Sequence, residues 1–437
     1  MNFVSSDKIN EWSEEFEQTK INKILQNVIS ANSLEEINSN RDILKNLNYV
    51  YDVQVAPKVK ASNQKSTGRC WMFAALNAIR NCFIEKYELD NEFEFSQSYL
   101  FFYDKLERSN YFLESMFYLK EHGHQQLDRV LHLLTTDLIS DGGQYDMFVG
   151  LVSKYGLVPK SCFQESRHSS NSAELNNVIK SMLRYYASTI WADTNVSKEE
   201  MLREVYNILL KFLGTPPSDN GHFDWIYLDK NKKYKNVIGL TPQSFYQTLV
   251  QPIYNIESQV SIIHDPRQNH SYGLTYGVEF LGSVIENRQI KHLNLSIERI
   301  KELVISSLNQ NRPVWFGCDV GKSFAKSHAC LDSALIKHTE LLNLSCEMSK
   351  VDNLLWNHSL MTHAMLFTGY GTNCFQVENS WGVTGADSGY LKMSADWFDR
   401  YVYQIVIDIN LLTDEEKEQY NKVPEMLPLW DPFGSLA

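Results

Sequence analysis

Apolar positions recur at helical spacing through the first half of the chain and at strand spacing through its last third. Residues 70–89 contain no Gly or Pro, and Met72, Leu76, Ile79, Phe83 and Tyr87 fall three or four apart, which predicts a buried helix. Residues 1–50 are polar and rich in Glu and Lys, with Ile21, Ile24, Leu25 and Val28 on one stripe, and predict amphipathic helices. Residues 93–120 carry an aromatic stripe at helical spacing. A break at Asp141-Gly142-Gly143-Gln144 precedes a helix over 145–155, and two more helices fit 172–213. A turn cluster at 215–221 leads into short strand-like runs over 223–290. A helix over 297–308 and a buried strand over 313–318 follow. The last third predicts strands over 364–369, 375–378, 389–393 and 401–409, with turns at Gly371-Thr372-Asn373 and 385–388. Residues 411–422 read as a charged helix. The tail over 427–437 holds two prolines, which argue against a helix, and several apolar anchors. Helices first and an antiparallel sheet later define an α+β fold.

The chain has 437 residues, 43% of them hydrophobic, which is enough for a large core. A formal net charge of -12 argues against nucleic acid as the main partner, because phosphate backbones need a concentrated positive surface. No apolar run is long enough to span a bilayer, and the amino terminus lacks a signal-peptide core, so a soluble cytoplasmic protein is expected. The seven cysteines are odd in number, widely spaced and never arranged as C-x-x-C, which fits neither a disulfide framework nor a zinc knuckle.

Cys70 begins the predicted helix. There the unpaired N–H groups and the helix dipole favour an anion, and a thiolate is the anion a cysteine nucleophile needs. An arbitrary cysteine at such a position is more often plain core. Its chemistry depends on a base and on a group that orients the base. His363 opens one predicted strand and Asn379 ends the next. A hairpin centred on Gly371 pairs the two directly, on one face, with Trp381 two residues on to cover the bond. Other motifs carry less. His122 and His124 lack a ligand set, no H-E-x-x-H occurs, and Gly321-Lys322-Ser323 lacks the first glycine of a phosphate loop.

Gln64, Cys70-Trp71, His363-Ala364 and Asn379-Ser380-Trp381-Gly382 occur in order and together resemble the papain-like cysteine peptidases. The base lies 293 residues after the nucleophile (363 − 70), roughly 150 more than the papain interval. With the wording of 63–77, 95–113, 142–159, 313–322, 361–370, 377–403 and 430–437, this narrows the resemblance to the bleomycin hydrolase / aminopeptidase C family. The resemblance implies a single papain-like domain over 1–437, with a helical lobe, an antiparallel β-barrel-like lobe and a large, mostly helical insertion. It implies an N-terminal helical extension over 1–55, the insertion at about 110–235, and a C-terminal arm over 424–437. It further implies Cys70 as nucleophile, His363 as general base and acid, Asn379 as its orienter and Gln64 as oxyanion donor. Gly142 and Gly143 then line the substrate cleft, and the Ala437 carboxylate faces the substrate's amino end. Peptide substrates, a homohexameric ring and no metal or organic cofactor complete the expectation: a cysteine aminopeptidase. An endopeptidase of the same family and a transglutaminase-like acyltransferase are its alternatives.

Overall fold

The computed structural model describes residues 3–437 except 137, 193–194, 219–220, 336 and 345. Met1 and Asn2 at the amino end, and Asp219 and Asn220 of the expected turn cluster, therefore lie outside the described residues. The chain opens with α1 (Ser6–Gln18) and α2 (Lys20–Ile29), followed by two short helical turns; none of these helices buries a residue. The expected stripe exists, but Ile21 and Ile24 are half exposed. Helix α3 (Cys70–Tyr87) is buried along nearly its whole length and ends at Glu88 in the left-handed region. It is followed by α4 (Gln97–Glu121), α5 (Tyr145–Tyr155), α6 (Ala173–Ala192) and α7 (Lys198–Leu213). Helix α4 starts four residues later than expected because Ser96 caps it, accepting from the Tyr99 N–H at 3.1 Å.

A hairpin of β1 (Phe223–Leu228) and β2 (Tyr234–Leu240) stands apart from the main sheet. The main sheet draws on β3 (Gln259–Ile263), β4 (Thr275–Val278), β5 (His292–Asn294), β6 (Val314–Cys318), β7 (His363–Gly371), β8 (Cys374–Glu378), β9 (Tyr390–Ser394), β10 (Val402–Asp408) and β11 (Glu425–Leu427). Its order is β11-β4-β5-β3-β10-β6-β7-β8-β9, with two-residue strands completing it at the margins. The expected antiparallel lobe is corrected to a mixed sheet: β3–β5, β4–β11 and β9 with Cys330–Leu331 pair parallel. These pairs sit away from the centre, where β10, β6, β7 and β8 keep antiparallel ladders.

Alternation explains the continuous apolar runs in the central strands. Trp315, Ala364 and Leu366 pack into the helical core with α3. Their neighbours Phe316, Met365 and Phe367 pack on the other face with Ile300, Leu303 and Val304 of α8 (Ile297–Asn309). The sheet is thus covered on both sides, and α3 lies against its inner face. The Trp315 indole donates to the Trp71 carbonyl at 3.0 Å and fixes the start of α3 on β6.

A second polar contact crosses this seam. Asn77 of α3 donates to Ser62 Oγ at 2.8 Å and to Glu378 Oε1 at 2.9 Å, at the end of β8. Burial pushes the Glu378 carboxyl from 4.5 up to about 7, against the pull of Arg80. The folded chain therefore keeps this proton where the unfolded chain has lost it. Its stabilisation is full below about pH 4.5 and is lost as pH rises through about 7. Glu378→Gln should match the wild type in acid and exceed it by about 3 kcal/mol in mild alkali, as read from denaturant unfolding at several pH values. Parallel pH profiles for the two proteins would refute this assignment.

Candidate active site

The loop 63–69 delivers Cys70 to the first turn of α3. Arg69 precedes it, fully buried, its guanidinium forked onto the Glu165 carboxylate at 3.1 Å through Nη1 and Nη2, while Nε donates to Thr67 Oγ1 at 3.0 Å. No side chain caps this helix end; the Arg69 carbonyl takes the Met72 and Phe73 N–H groups, which leaves those of Cys70 and Trp71 at the tip. Cys70, His363, Gln64, Trp381, Gly142 and Ala437 all line one cleft of about 980 Å³.

His363 and Asn379 meet, although not by the expected register. The ladder runs Leu366 to Glu378 and Phe367 to Val377, then slips by one at a bulge before Gly369. The turn is Thr372-Asn373, with Asn373 at φ 57°, rather than one centred on Gly371. Continued outward, this register sets Asn379 opposite Met365, while the recorded partner of His363 is Cys318 on β6. The slip amounts to two positions at this end, and two positions preserve the face. His363 thus reaches Asn379 diagonally, with Nε2 3.0 Å from Oδ1. The Ser380 N–H also donates to that Oδ1, at 2.8 Å, which marks it as the amide's acceptor. Nε2 must then carry the proton, leaving the Nδ1 lone pair open. The Trp381 ring lies 5.1 Å from the imidazole, centroid to centroid, as expected.

Burial pushes the Cys70 thiol up to about 11, against backbone N–H groups of Ala364, Trp71 and Cys70 itself that pull it down. Burial likewise pushes His363 down to about 4, opposed by the Asn379 bond. Either ion alone is thus penalised in the empty cleft. A thiolate and an imidazolium formed together offset much of that penalty, because each supplies the other's counter-charge.

Gln64 is held by both ends of its amide. Oε1 accepts from Ser380 Oγ at 2.5 Å, and Nε2 donates to the Thr67 carbonyl at 2.6 Å. One Nε2 hydrogen remains for a further acceptor.

The glycine wall was visible in the sequence; its support was not. Asp141 Oδ1 accepts from Lys105 Nζ at 2.7 Å and Asn176 Nδ2 at 2.8 Å, and Oδ2 from the Gly68 N–H at 3.3 Å and from Ser172. The Asp141 carbonyl accepts from the Trp71 indole at 2.7 Å. Burial raises this carboxyl, but Lys105, Ser172 and Asn176 outweigh it and hold it well below the usual range. Arg108, paired with Asp104, donates to the Gly142 carbonyl at 2.6 Å. The readable signal was Asp104, Lys105 and Arg108 interrupting an aromatic helix, since buried charges imply partners.

The tail enters this wall. The Gly143 N–H donates to the Ala437 backbone oxygen at 3.0 Å, and the Ala437 N–H returns to the Gly143 carbonyl at 3.3 Å. Gln144 Nε2 donates to the Ser435 carbonyl at 2.8 Å. Ala437 therefore uses both backbone groups of Gly143, as one residue of an extended peptide does.

A helical lobe against a sheet lobe, with thiol, imidazole and carboxamide converging at their junction, is the architecture of the papain-like cysteine peptidases. The chain belongs to the Peptidase C1-like family, whose model matches residues 3–434. It is 35% identical to bleomycin hydrolase from Homo sapiens over 433 residues, covering 95% of this chain and 94% of that protein. It is 39% identical to aminopeptidase C from Lactococcus lactis over 393 residues, 87% of each chain. The crystal structure of PepW from Lactobacillus rhamnosis superposes with a TM-score of 0.94 at 37% identity, covering 100% of this chain and 99% of that one. The protein is a cysteine peptidase, and its substrates are peptides. No helix among the described residues is long and apolar enough to cross a membrane.

A Cβ on Gly143 would lie 2.5 Å from the Trp71 ring, which is itself fixed by Asp141. Gly143→Ala should cost about 1–3 kcal/mol in chemical denaturation and lower turnover with it. Wild-type stability in this variant would show that the wall yields.

Proposed function

We propose that Cys70 is the nucleophile, His363 the general base and acid, Asn379 its orienter and Gln64 an oxyanion donor. The observation that carries this is the His363–Asn379 bond, which leaves Nδ1 open in the cleft that Cys70 enters from a helix end. The Cys70 S–H proton passes to Nδ1, and the thiolate adds to the scissile carbonyl. The oxyanion is held by the Cys70 backbone N–H and the remaining Gln64 N–H, each such donor being worth about 3 kcal/mol. His363 then gives its proton to the leaving amine. A water, deprotonated by the same imidazole, adds to the thioester, and collapse expels the thiol and the acid product. No metal or organic cofactor takes part in these steps.

The activity is that of a cysteine aminopeptidase. Ala437 occupies the Gly143 backbone groups, so the cleft is closed to longer chains on that side. With Ala437 as the chain end, its carboxylate faces the ammonium of a substrate whose first residue sits between the tail and Cys70. Gly142 assists by being bare: a Cβ there would stand 2.7 Å from the Ala437 oxygen. Within the chain, the domain plan is one peptidase domain with an N-terminal extension, a helical insertion and this arm. We assign it to the cytoplasm, where a reducing medium protects the thiolate, and to a homohexamer. The half-exposed Trp12, Ile21 and Ile24 of the first two helices suit burial between subunits.

Cys70→Ala should abolish peptide hydrolysis while leaving circular dichroism and unfolding unchanged; residual turnover near the wild-type rate would remove Cys70 from the mechanism. Deleting Leu436 and Ala437 should weaken cleavage of free-amino peptides and open the cleft to their N-acetylated counterparts. Equal hydrolysis of both peptides by the full-length chain would end the aminopeptidase reading of the arm.

A further inference from the structure

Six residues before its end, the arm passes a buried ionic cluster that the reaction does not use. Arg267 lies in the loop after β3. Asn294 of β5 holds that loop, accepting from the Asp265 N–H at 2.9 Å and donating to the Asp265 carbonyl at 2.9 Å and the His270 carbonyl at 3.0 Å. The Arg267 guanidinium forks onto the Asp265 carboxylate, Nε at 2.9 Å and Nη2 at 2.8 Å. The same Nη2 donates to Asp431 Oδ1 at 3.0 Å. His270 Nδ1 closes the far side of Asp265 at 2.5 Å. The side chains of Asp265, Asp431 and Arg267 are 1%, 6% and 9% exposed.

Asp431 belongs to the arm and does two things there. Its Oδ1 also accepts from the Phe433 N–H at 3.0 Å, which closes the helical turn Pro432–Gly434. That turn drops the Phe433 ring among Val278, Tyr403 and Leu427, with the guanidinium 5.7 Å from its centroid. Two buried carboxylates share one cation. Without it they repel, and Asp431 is the one free to leave, because Asp265 is fixed by its loop. Between this anchor and Gly143 lie only a proline-stiffened turn and three residues, so the seat of Asp431 fixes how far Ala437 reaches toward Cys70.

We propose that Arg267 is a positioning residue for substrate choice: by clamping Asp431 it holds the arm end where it rejects blocked amino termini. This rests on the arm reading given under Proposed function. The test compares the full-length wild type with Asp431→Asn, Arg267→Lys and the chain lacking Leu436 and Ala437. One peptide is used, with a free and with an acetylated amino end. Asp431→Asn leaves Arg267 its fork onto Asp265 and so keeps the fold. It should raise KM for the free peptide and lower the free-to-acetylated ratio of kcat/KM about tenfold, the scale of one charge-assisted hydrogen bond. Hydrolysis of the acetylated peptide should hold or rise. Arg267→Lys, which keeps the charge but loses the fork, should shift the ratio the same way. A parallel loss on both peptides, the mark of a merely structural residue, overturns the proposal. So does an unchanged ratio in Asp431→Asn when the deletion lowers it. If the deletion also leaves the ratio unchanged, the arm reading itself fails and takes the anchor with it.

Discussion

The carboxylate of Asp141 ties together three parts of the chain that no local preference brings near each other. It takes the Gly68 N–H from the loop before Cys70, Lys105 from the aromatic helix and Asn176 from α6. Its own carbonyl holds the Trp71 indole, one residue after Cys70. The next two residues are the glycine wall. One buried anion therefore sets the spacing between the Cys70 loop and the Gly142-Gly143 segment. Such an anion is costly to bury and is stable only with several donors in place. The helical lobe supplies them through Lys105, Ser172 and Asn176, which gives those helices a role beyond bulk.

The same constraint governs Cys70 and His363. The cleft is dry enough to disfavour a lone thiolate and a lone imidazolium, and the helix end and the Asn379 bond each offset part of that cost. An ion pair formed in place needs no further counter-ion. This is why the sheet and the helix must meet squarely, and why the seam is fixed by Trp315 on the Trp71 carbonyl and by Asn77 between Ser62 and Glu378. Small shifts between the lobes would separate charges that low dielectric makes expensive to separate.

Much of this was legible in the chain. Residues 70–87, 145–155 and 297–309 form helices where the spacing placed them, because sustained apolar periodicity leaves little choice, and the lone Gly150 inside the second does not break it. The His363–Asn379 contact was read correctly on a wrong register. The bulge near Gly369 is set by packing around β7, which has neighbours on both sides, and is invisible to hairpin counting. The face survived because the error was even. The helix Ala395–Tyr401 fills the stretch left unassigned between the strands expected over 389–393 and 401–409, too short to show a periodic pattern although its Trp397 and Phe398 are buried. Asp141 escaped notice because its partners lie 31 to 73 residues away, and side-chain networks of that span leave no periodic trace.

The tail shows how far such reading reaches. Its apolar anchors and prolines left a docked arm open beside an ordinary frayed end, and only the family resemblance favoured docking. The structure docks it on β4 through Glu425–Leu427, then on the glycine wall. A segment held at both ends by backbone pairing has little entropy left to lose, so it can act as a fixed boundary rather than a loose plug. A fixed boundary measures length, whereas a loose one only competes for space. On the reading proposed above, selection of the amino end by such a boundary needs no pocket for any particular side chain. Substrate breadth and strict positional choice are then compatible in one cleft.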